Sequence, residues 1–246
     1  AAGETTSRYY ESRKIPNTVL ADGPAGIRIT QSYKENDTTY YQYCTAFPIG
    51  TLIAQSWDKD VAKQFGEAIG EEMLEMGVTM WLAPGMNIHR NPLCGRNFEY
   101  LSEDPYLSGK ISAALIKGIQ SKGVAACLKH FAANNQEKNR YTVNAIIDER
   151  ALREIYLKGF EIAVKEGKAR SVMTTYNPVN GIWTAGSYDL CTTILRKEWG
   201  FDGIVMTDWW AEANTEGEKS TRGNKAPMVL AQNDLYMCVT NSLENP

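Results

Sequence analysis

The strongest constraint on the fold is a repeated order of elements. A predicted helix, a glycine and an apolar strand follow one another in four successive units. In the first unit, apolar residues recur at helical spacing over 58–76, with Asp58 placed to cap the helix. Gly77 follows, and 78–82 is continuously apolar. The other three units cover 111–128, 152–173 and 190–206. Helices alternating with fully apolar strands are typical of a parallel sheet with helices packed outside it.

Two further strands are predicted at 18–21 and 234–237, and they leave an open doubly wound sheet and a closed barrel as alternatives. No GxGxxG motif follows any predicted strand, so a dinucleotide-binding sheet lacks its fingerprint. The 246 residues match the length of one α/β barrel, about 250 residues. We therefore predict an α/β fold of the TIM-type (β/α)8 barrel class, which could be incomplete at its N-terminal end.

Composition excludes several classes of function. A net charge of −3 gives no electrostatic argument for nucleic acid, and no apolar run is long enough to cross a membrane. The five cysteines are dispersed without a CxxC pair, which indicates thiols and not a disulfide framework or a zinc site. We expect neither a metal nor a cofactor. The compartment is not determined, although the thiols and the lack of a visible signal peptide favour the cytoplasm.

The ends of the predicted strands carry side chains that bind hydroxyl groups or stack on apolar faces. In a barrel these ends meet at the face that holds the active site. Neither a glycine-rich phosphate cradle nor a Ser or Cys nucleophile beside a base is present. The residues at or beyond the strand ends are Asp22, Arg90, Arg96, Lys129, His130, Tyr176, Asp208 and Trp209. This set predicts a neutral polyhydroxylated ligand, which means a sugar.

Five sequence runs carry a resemblance to a known family. They are ADGPAGIR (21–28), GRNFEYLSEDP (95–105), CLKHFAANNQE (127–137), VMTTYNPVNG (172–181) and GFDGIVMTDWW (200–210). In this order, they resemble the catalytic barrel domain of glycoside hydrolase family 3, the β-glucosidase family. KHFAANNQE is similar to β-glucosidase members and differs from the β-N-acetylglucosaminidase branch, whose corresponding loop is glycine-rich.

The resemblance implies a retaining, exo-acting β-glucosidase in which Asp208 is the nucleophile. It also implies a set of substrate-binding residues, namely Asp22, Arg96, Lys129, His130, Met173, Tyr176 and Trp209. Asp22 matches the carboxylate that accepts hydrogen bonds from hydroxyls at the non-reducing end, and Arg90 is a looser candidate. The alternatives are a β-xylosidase or other exo-β-glycosidase, and a sugar-binding barrel that needs a partner domain for turnover.

Each assignment has a structural alternative. Asp208 could serve as a helix cap, Asp22 could simply form a turn, and Arg96 could form a structural ion pair with Glu99. Adjacent residues on a regular strand face opposite sides, so Lys129 and its neighbour can share a site only if the backbone is irregular there. We predict such an irregularity at 129–130.

The domain organisation follows from the same resemblance. Residues 1–246 are predicted to form one barrel domain. Family members carry a second, α/β sandwich domain that supplies the acid-base carboxylate, and we expect that domain to be absent from this chain. The acid-base group would then come from a second domain or chain. The chain could be a fragment, a processed product or the rear half of an enzyme with the domains inverted.

Overall fold

The structure is a computed structural model that describes residues 5–7 and 9–238. The strands of the described residues are β1 (Thr5–Thr6), β2 (Val19–Ala21), β3 (Ser32–Glu35), β4 (Thr38–Tyr41), β5 (Met80–Trp81), β6 (Ala125–Phe131), β7 (Ser171–Thr174), β8 (Pro178–Val179), β9 (Ile182–Trp183) and β10 (Ile204–Met206). The α-helices are α1 (Gly50–Gln55), α2 (Lys59–Glu75), α3 (Pro105–Gln120), α4 (Glu149–Ala151), α5 (Lys158–Gly167) and α6 (Ala226–Leu230). Leu152–Tyr156 and Asp189–Glu198 are π-helical, and short 3-10 turns occupy Glu11–Arg13, Asn97–Glu99 and Thr184–Gly186.

The central sheet has the strand order β1-β2-β5-β6-β7-β10. β1 is antiparallel to β2, whereas all the other neighbouring pairs are parallel. Each parallel strand lies beside the next one along the chain, unlike a doubly wound sheet, in which the order reverses. The predicted α/β class is confirmed, and the sequential order is consistent with a TIM barrel. Among the described pairs, none closes the sheet into a ring.

The strand predicted at 234–237 is reduced to a single bridge. Leu235 pairs in parallel with Met206, so the chain does reach the next position of the sheet after β10. The strand predicted at 78–82 shortens to β5, and the one predicted at 124–128 extends to Phe131 in β6.

Helix α2 matches its prediction closely because the sequence encodes both of its ends. The Asp58 carboxylate accepts hydrogen bonds from the backbone N–H groups of Asp60 and Val61, and Gly77 turns the chain away at φ +66°. Helix α3 begins in the same way, with Asp104 as its cap and Pro105 as its first residue. Its glycine Gly118 packs against the backbone of α2, where a Cβ would overlap the Lys63 carbonyl oxygen.

The third helical unit ends differently from the prediction. Gly167 lies inside the last turn of α5, and it is Lys168 that adopts the left-handed conformation, at φ +55°. A Cβ on Gly167 would lie 3.0 Å from the Cα of Ala113 in α3. The glycine therefore serves the close packing of two helices and not the helix end.

The sheet separates two apolar clusters. The larger one fills the space between the sheet and the surrounding helices. The smaller one lies on the inner face and is rich in methionine; its buried members are Leu20, Met80, Leu82, Cys127, Met173, Met206 and Met237. No helix in the described part of the chain combines the length and apolar character that a bilayer crossing requires.

Candidate active site

A cavity of about 240 Å³ opens at the carboxyl ends of the parallel strands. Its lining residues are Asp22, Leu82, Arg96, Lys129, His130, Arg140, Met173, Tyr176, Asp208 and Trp209. Every residue that the resemblance implied for the site is in this set. Arg90 is not; it lines a separate crevice of about 120 Å³ beside the loop that follows β6.

Asp208 lies two residues beyond β10 and is 7% exposed. Its Oδ1 accepts a hydrogen bond of 2.8 Å from the backbone N–H of Trp209. Burial raises the pKa of the Asp208 carboxyl, while hydrogen bonding from Trp209 and from the Tyr176 hydroxyl acts in the opposite direction. The next helix, α6, begins only at Ala226, so Asp208 does not cap a helix.

Four charged side chains alternate in sign on the other side of the cavity. The Lys129 ammonium, 2% exposed, donates a hydrogen bond to Asp22 and lies 3.8 Å from Oε2 of Glu99. Arg96 donates from Nε to the other oxygen of Glu99. The ion pair foreseen between Arg96 and Glu99 is therefore present, and it borders the cavity.

The pKa of Asp22 reflects this arrangement. Burial alone would raise the pKa of the Asp22 carboxyl, but the Lys129 ammonium, the Gly23 N–H and the Arg28 guanidinium together outweigh it, and the net pKa is lowered. The main-chain oxygen of Asp22 also accepts a hydrogen bond from the Arg28 N–H, so the residue closes a turn as well. The turn at Asp22 is therefore present, and its carboxylate lines the cavity as well; its role as an acceptor for sugar hydroxyls stays a prediction.

The predicted irregularity at 129–130 is confirmed. The peptide bond between Lys129 and His130 is cis, a second cis bond joins Phe131 to Ala132, and the register of β6 shifts against β7 at this point. Both predicted side chains line the cavity. The Asn87 side-chain amide holds the irregular segment, because it donates to the His130 carbonyl oxygen and accepts from the His130 N–H, each at 2.9 Å.

His130 is held as a neutral imidazole. Burial lowers its pKa well below the ordinary value, and nearby guanidinium and ammonium groups lower it further. Its Nδ1 lies 3.2 Å from the Tyr100 hydroxyl, which itself accepts a hydrogen bond from Asn134 Nδ2. A hydrogen bond donated by the Tyr100 hydroxyl to Nδ1 would place the imidazole proton on Nε2. Nε2 lies 3.8 Å from Oδ2 of Asp208.

Two cavity residues were not foreseen from the sequence, Leu82 and Arg140. The Arg140 guanidinium lies 5.0 Å from the ring centroid of Tyr176 and donates a 3.0 Å hydrogen bond to Glu137 Oε2. Arg140 stands in a polar loop three residues beyond the matching run 127–137, so only its charge could have marked it.

The remaining lining residues form an apolar side of the cavity. Met173 is buried in the inner cluster, and Trp209 is half-buried beside Asp208. Trp210, in contrast, is 40% exposed and does not line the cavity. Among the residues that the structure describes, no three His, Cys, Asp or Glu side chains converge in a way that could hold a metal ion.

Comparison with known proteins matches the chain to one family. The glycosyl hydrolase family 3 N-terminal domain matches residues 3–245. A β-glucosidase from Ruminococcus albus is 52% identical over 96% of this chain, and an exo-α-(1→6)-L-arabinopyranosidase from Bifidobacterium longum is 48% identical over 82% of it. The crystal structure of β-glucosidase 3B from Thermotoga neapolitana in complex with glucose superimposes with a TM-score of 0.87, at 49% identity over 96% of this chain and 32% of that one.

The chain spans about a quarter of the length of these curated relatives, 24% and 27%. The family match, in contrast, covers nearly all of the chain. This protein belongs to the glycosyl hydrolase family 3 N-terminal domain family.

Proposed function

We propose that residues 1–246 form the catalytic barrel domain of a retaining, exo-acting β-glucosidase that hydrolyses terminal β-D-glucosyl residues through an aspartyl glycosyl-enzyme intermediate. The observation that carries this proposal is the position of Asp208, a buried carboxylate at a strand end that faces a small cavity lined with hydroxyl-binding groups. The volume of about 240 Å³ lies below the range of about 300–1,000 Å³ typical of drug-sized ligands and suits one sugar ring. The names of the relatives support the same activity.

In the first step, an Asp208 carboxylate oxygen attacks the anomeric carbon of the sugar. The bond from that carbon to the leaving oxygen breaks, and the leaving oxygen takes a proton from a general acid. Asp208 must be ionised for this step. The Trp209 N–H and the Tyr176 hydroxyl stabilise the ionised form against the effect of burial. Trp209 would also provide an apolar floor for the ring.

The remaining predicted residues would hold the sugar hydroxyls. Asp22 is an ionised acceptor at the far side of the cavity, and charge-assisted hydrogen bonds of this type are the strong ones. Lys129 and Arg96 supply donors, and the neutral His130 supplies its Nε2 proton. Met173 would limit the depth of the pocket. A closed pocket of this size accepts the terminal sugar of a chain, as exo-action requires.

Among the residues that the structure describes, none that lines the cavity is suited to be the general acid. Retaining enzymes use a second carboxyl about 5–5.5 Å from the nucleophile, with a raised pKa. Asp22 is the other carboxyl among the described cavity residues, and its pairing with Lys129 lowers its pKa, which is the wrong direction for an acid. We therefore assign the acid-base carboxylate to a second domain or chain. The same group would activate water for hydrolysis of the intermediate.

Two alternatives have specific support. The arabinopyranosidase relative favours another exo-glycosidase that acts on a pentopyranoside, such as a β-xylosidase, which differs by one hydroxymethyl group. The missing acid favours a sugar-binding barrel that depends on a partner for turnover. A panel of aryl glycosides distinguishes the first alternative from a β-glucosidase. Turnover measured with and without the partner domain tests the second alternative.

The mechanism is tested by trapping the intermediate. General acid assistance is worth about 10²–10⁴-fold, but dinitrophenolate leaves as a stable anion and needs little of it. The 246-residue chain should therefore react with 2,4-dinitrophenyl 2-deoxy-2-fluoro-β-glucoside and retain the sugar. Peptide mass spectrometry should locate the label on Asp208, and Asp208→Asn should abolish it. Labelling of another carboxylate, or equal labelling of Asp208→Asn, would refute the assignment. Cellobiose should be turned over only when the second domain is added.

A further inference from the structure

The loop that follows β6 carries a carboxylate that the mechanism above does not use. Glu137 is half-buried and accepts hydrogen bonds from two partners, Arg140 Nη1 at 3.0 Å on Oε2 and Asn134 Nδ2 at 3.4 Å on Oε1. It is not among the described residues that line the cavity. Both of its partners, however, lead to residues that face Asp208.

The first connection runs through Arg140 to Tyr176. The Arg140 guanidinium lies over the Tyr176 ring, and it donates a 3.1 Å hydrogen bond to the hydroxyl of Tyr141, whose ring packs against Tyr176 with a centroid distance of 4.5 Å. Tyr176 is thereby in contact with Arg140, which Glu137 anchors directly, and with Tyr141, which Arg140 holds. The Tyr176 hydroxyl is one of the two groups that stabilise the ionised form of Asp208.

The second connection runs through Asn134 to His130. Asn134 is 2% exposed and donates to both Glu137 and the Tyr100 hydroxyl. Tyr100 in turn holds Nδ1 of His130. Glu137 is therefore connected to two residues beside Asp208. Its ion pair with Arg140 leads to Tyr176, and its hydrogen bond from the Asn134 amide leads through Tyr100 to His130.

The charge of Glu137 also restrains Arg140. A guanidinium that lines the same small cavity as an ionised Asp208 is attracted to it, because opposite charges interact strongly where water is excluded. The other cavity carboxylate, Asp22, is already paired with Lys129. Without Glu137, Arg140 would lose its ion-pair partner while it still lines the same cavity as the Asp208 carboxylate.

We propose that Glu137 is a positioning residue, which keeps Arg140 stacked on Tyr176 and away from Asp208. This inference rests on the proposed function, since it concerns the reactivity of the same nucleophile. Glu137 acts on the chemical step and not on the binding of the sugar.

The test uses the 246-residue chain and the fluoro-sugar reagent described above. In the labelling step, the bond from Asp208 to the anomeric carbon forms while the bond to dinitrophenolate breaks. Glu137→Gln should lower the saturating rate constant of labelling by about tenfold or more, as misplacement of a reacting group does. The reagent concentration for half-saturation should change by less than about threefold, because no side chain assigned to the sugar hydroxyls is itself replaced.

A double-mutant cycle separates this role from a general structural one. Arg140→Gln alone should also slow labelling, and Glu137→Gln should then add less than about a twofold further loss, since the cation that it restrains is gone. Glu154→Gln is the matched control, because it removes the carboxylate of an exposed pair with Arg150 far from the cavity. The proposal would be overturned if Glu137→Gln slows labelling by the same factor with and without Arg140→Gln. It would also be overturned if the Glu137→Gln chain is labelled at the rate of the unmodified chain.

A structural measurement keeps the test independent of activity. Crystal structures of the unmodified chain and of Glu137→Gln should differ in the Arg140 guanidinium, which should leave the Tyr176 ring in the variant. An unchanged position would refute the inference even if labelling slows. If the unmodified chain is not labelled at all, the proposed function fails, and the pair of structures still decides the role of Glu137.

Discussion

Replacing Asp22 with Asn tests how much the buried charges beside the cavity contribute to the stability of the fold. The substitution keeps the size of the side chain and removes its charge. The Lys129 ammonium, 2% exposed, then loses its nearest carboxylate. It keeps only Glu99 within 4 Å among the described residues, at 3.8 Å, and Glu99 is already paired with Arg96. Asp22 lies one residue beyond β2 and outside the apolar core, yet its pairing with Lys129 predicts a loss of stability.

The magnitude follows from the burial of Lys129. Breaking a buried ion pair by removing one partner costs about 3–5 kcal/mol of unfolding free energy. Asp22 is itself 27% exposed and Glu99 remains nearby, so we expect the lower end, about 3 kcal/mol. For a domain of this length, each kcal/mol shifts Tm by about 2–4 °C, and the expected loss is about 6–12 °C.

The pH dependence of the unfolding free energy tests whether the charge of Asp22 is the cause of the stability difference. The pKa of Asp22 is lower in the folded chain than in the unfolded chain. Its contribution to stability is therefore complete above the unfolded value, about 3.9, and is lost as the pH falls through the folded value. Urea unfolding followed by circular dichroism should show the full difference between the unmodified chain and Asp22→Asn at pH 7. The difference should shrink progressively below about pH 4.

Two outcomes would refute this reasoning. A loss below about 1 kcal/mol at pH 7 would mean that Lys129 is rehydrated or finds another partner. A difference that stays constant into the acid range would mean that the charge of Asp22 is not its cause. Glu154→Gln serves as the control, because exposed pairs contribute little at any pH. Glucose binding by Asp22→Asn should also weaken, which isothermal calorimetry would measure.

Two further predictions concern the nucleophile and the helix packing. Tyr176→Phe removes a hydroxyl that lowers the pKa of Asp208, so the acidic limb of the pH profile for labelling should move to higher pH; a limb that stays or moves down would contradict this role. Gly118→Ala should destabilise the chain by about 1–3 kcal/mol in urea unfolding, because its Cβ would overlap the Lys63 carbonyl oxygen. Gly95→Ala, where the nearest atom lies 3.9 Å away, should be close to neutral, and equal effects of the two substitutions would exclude overpacking as the cause.

The parts of the structure that could be predicted are those with a local or periodic signal. Asp58 and Asp104 mark helix starts because their carboxylates satisfy backbone N–H groups that every helix leaves open. The common edge of parallel strands explains why residues as distant in sequence as Asp22 and Asp208 could be assigned to one cavity. The backbone irregularity at 129–130 was predicted from the pleat of a strand together with the resemblance, which implied that Lys129 and His130 share one site.

The parts that could not be predicted depend on tertiary contacts. Asn87 holds His130 through two hydrogen bonds across 43 residues of chain, and no spacing rule encodes such a pair. Gly167 looks like a helix stop in sequence but is required for contact with another helix. Arg140 reaches the cavity from a loop without regular structure, so its direction depends on Glu137 and on the ring of Tyr176.

The charges around the cavity explain how one carboxylate can stay ionised and still react. The cations of the cavity are each paired with a separate carboxylate: Arg96 with Glu99, Lys129 with Asp22 and Arg140 with Glu137. Among the described residues, the one basic side chain within 4.0 Å of Asp208 is the imidazole of His130, which burial keeps neutral.

Asp208 is therefore stabilised by hydrogen bonds from Trp209 and Tyr176 and by the more distant field of Lys129 and Arg96, and not by a direct ion pair. A direct pair would hold the attacking oxygen and oppose its transfer to the sugar carbon, whereas hydrogen bonds leave a lone pair available. Removing the anion of any one pair releases a cation into a cavity whose remaining unpaired charge is the nucleophile. Substitutions at Glu99, Asp22 or Glu137 should thus slow the chemical step through Asp208, even though none of these three carboxylates is the attacking group.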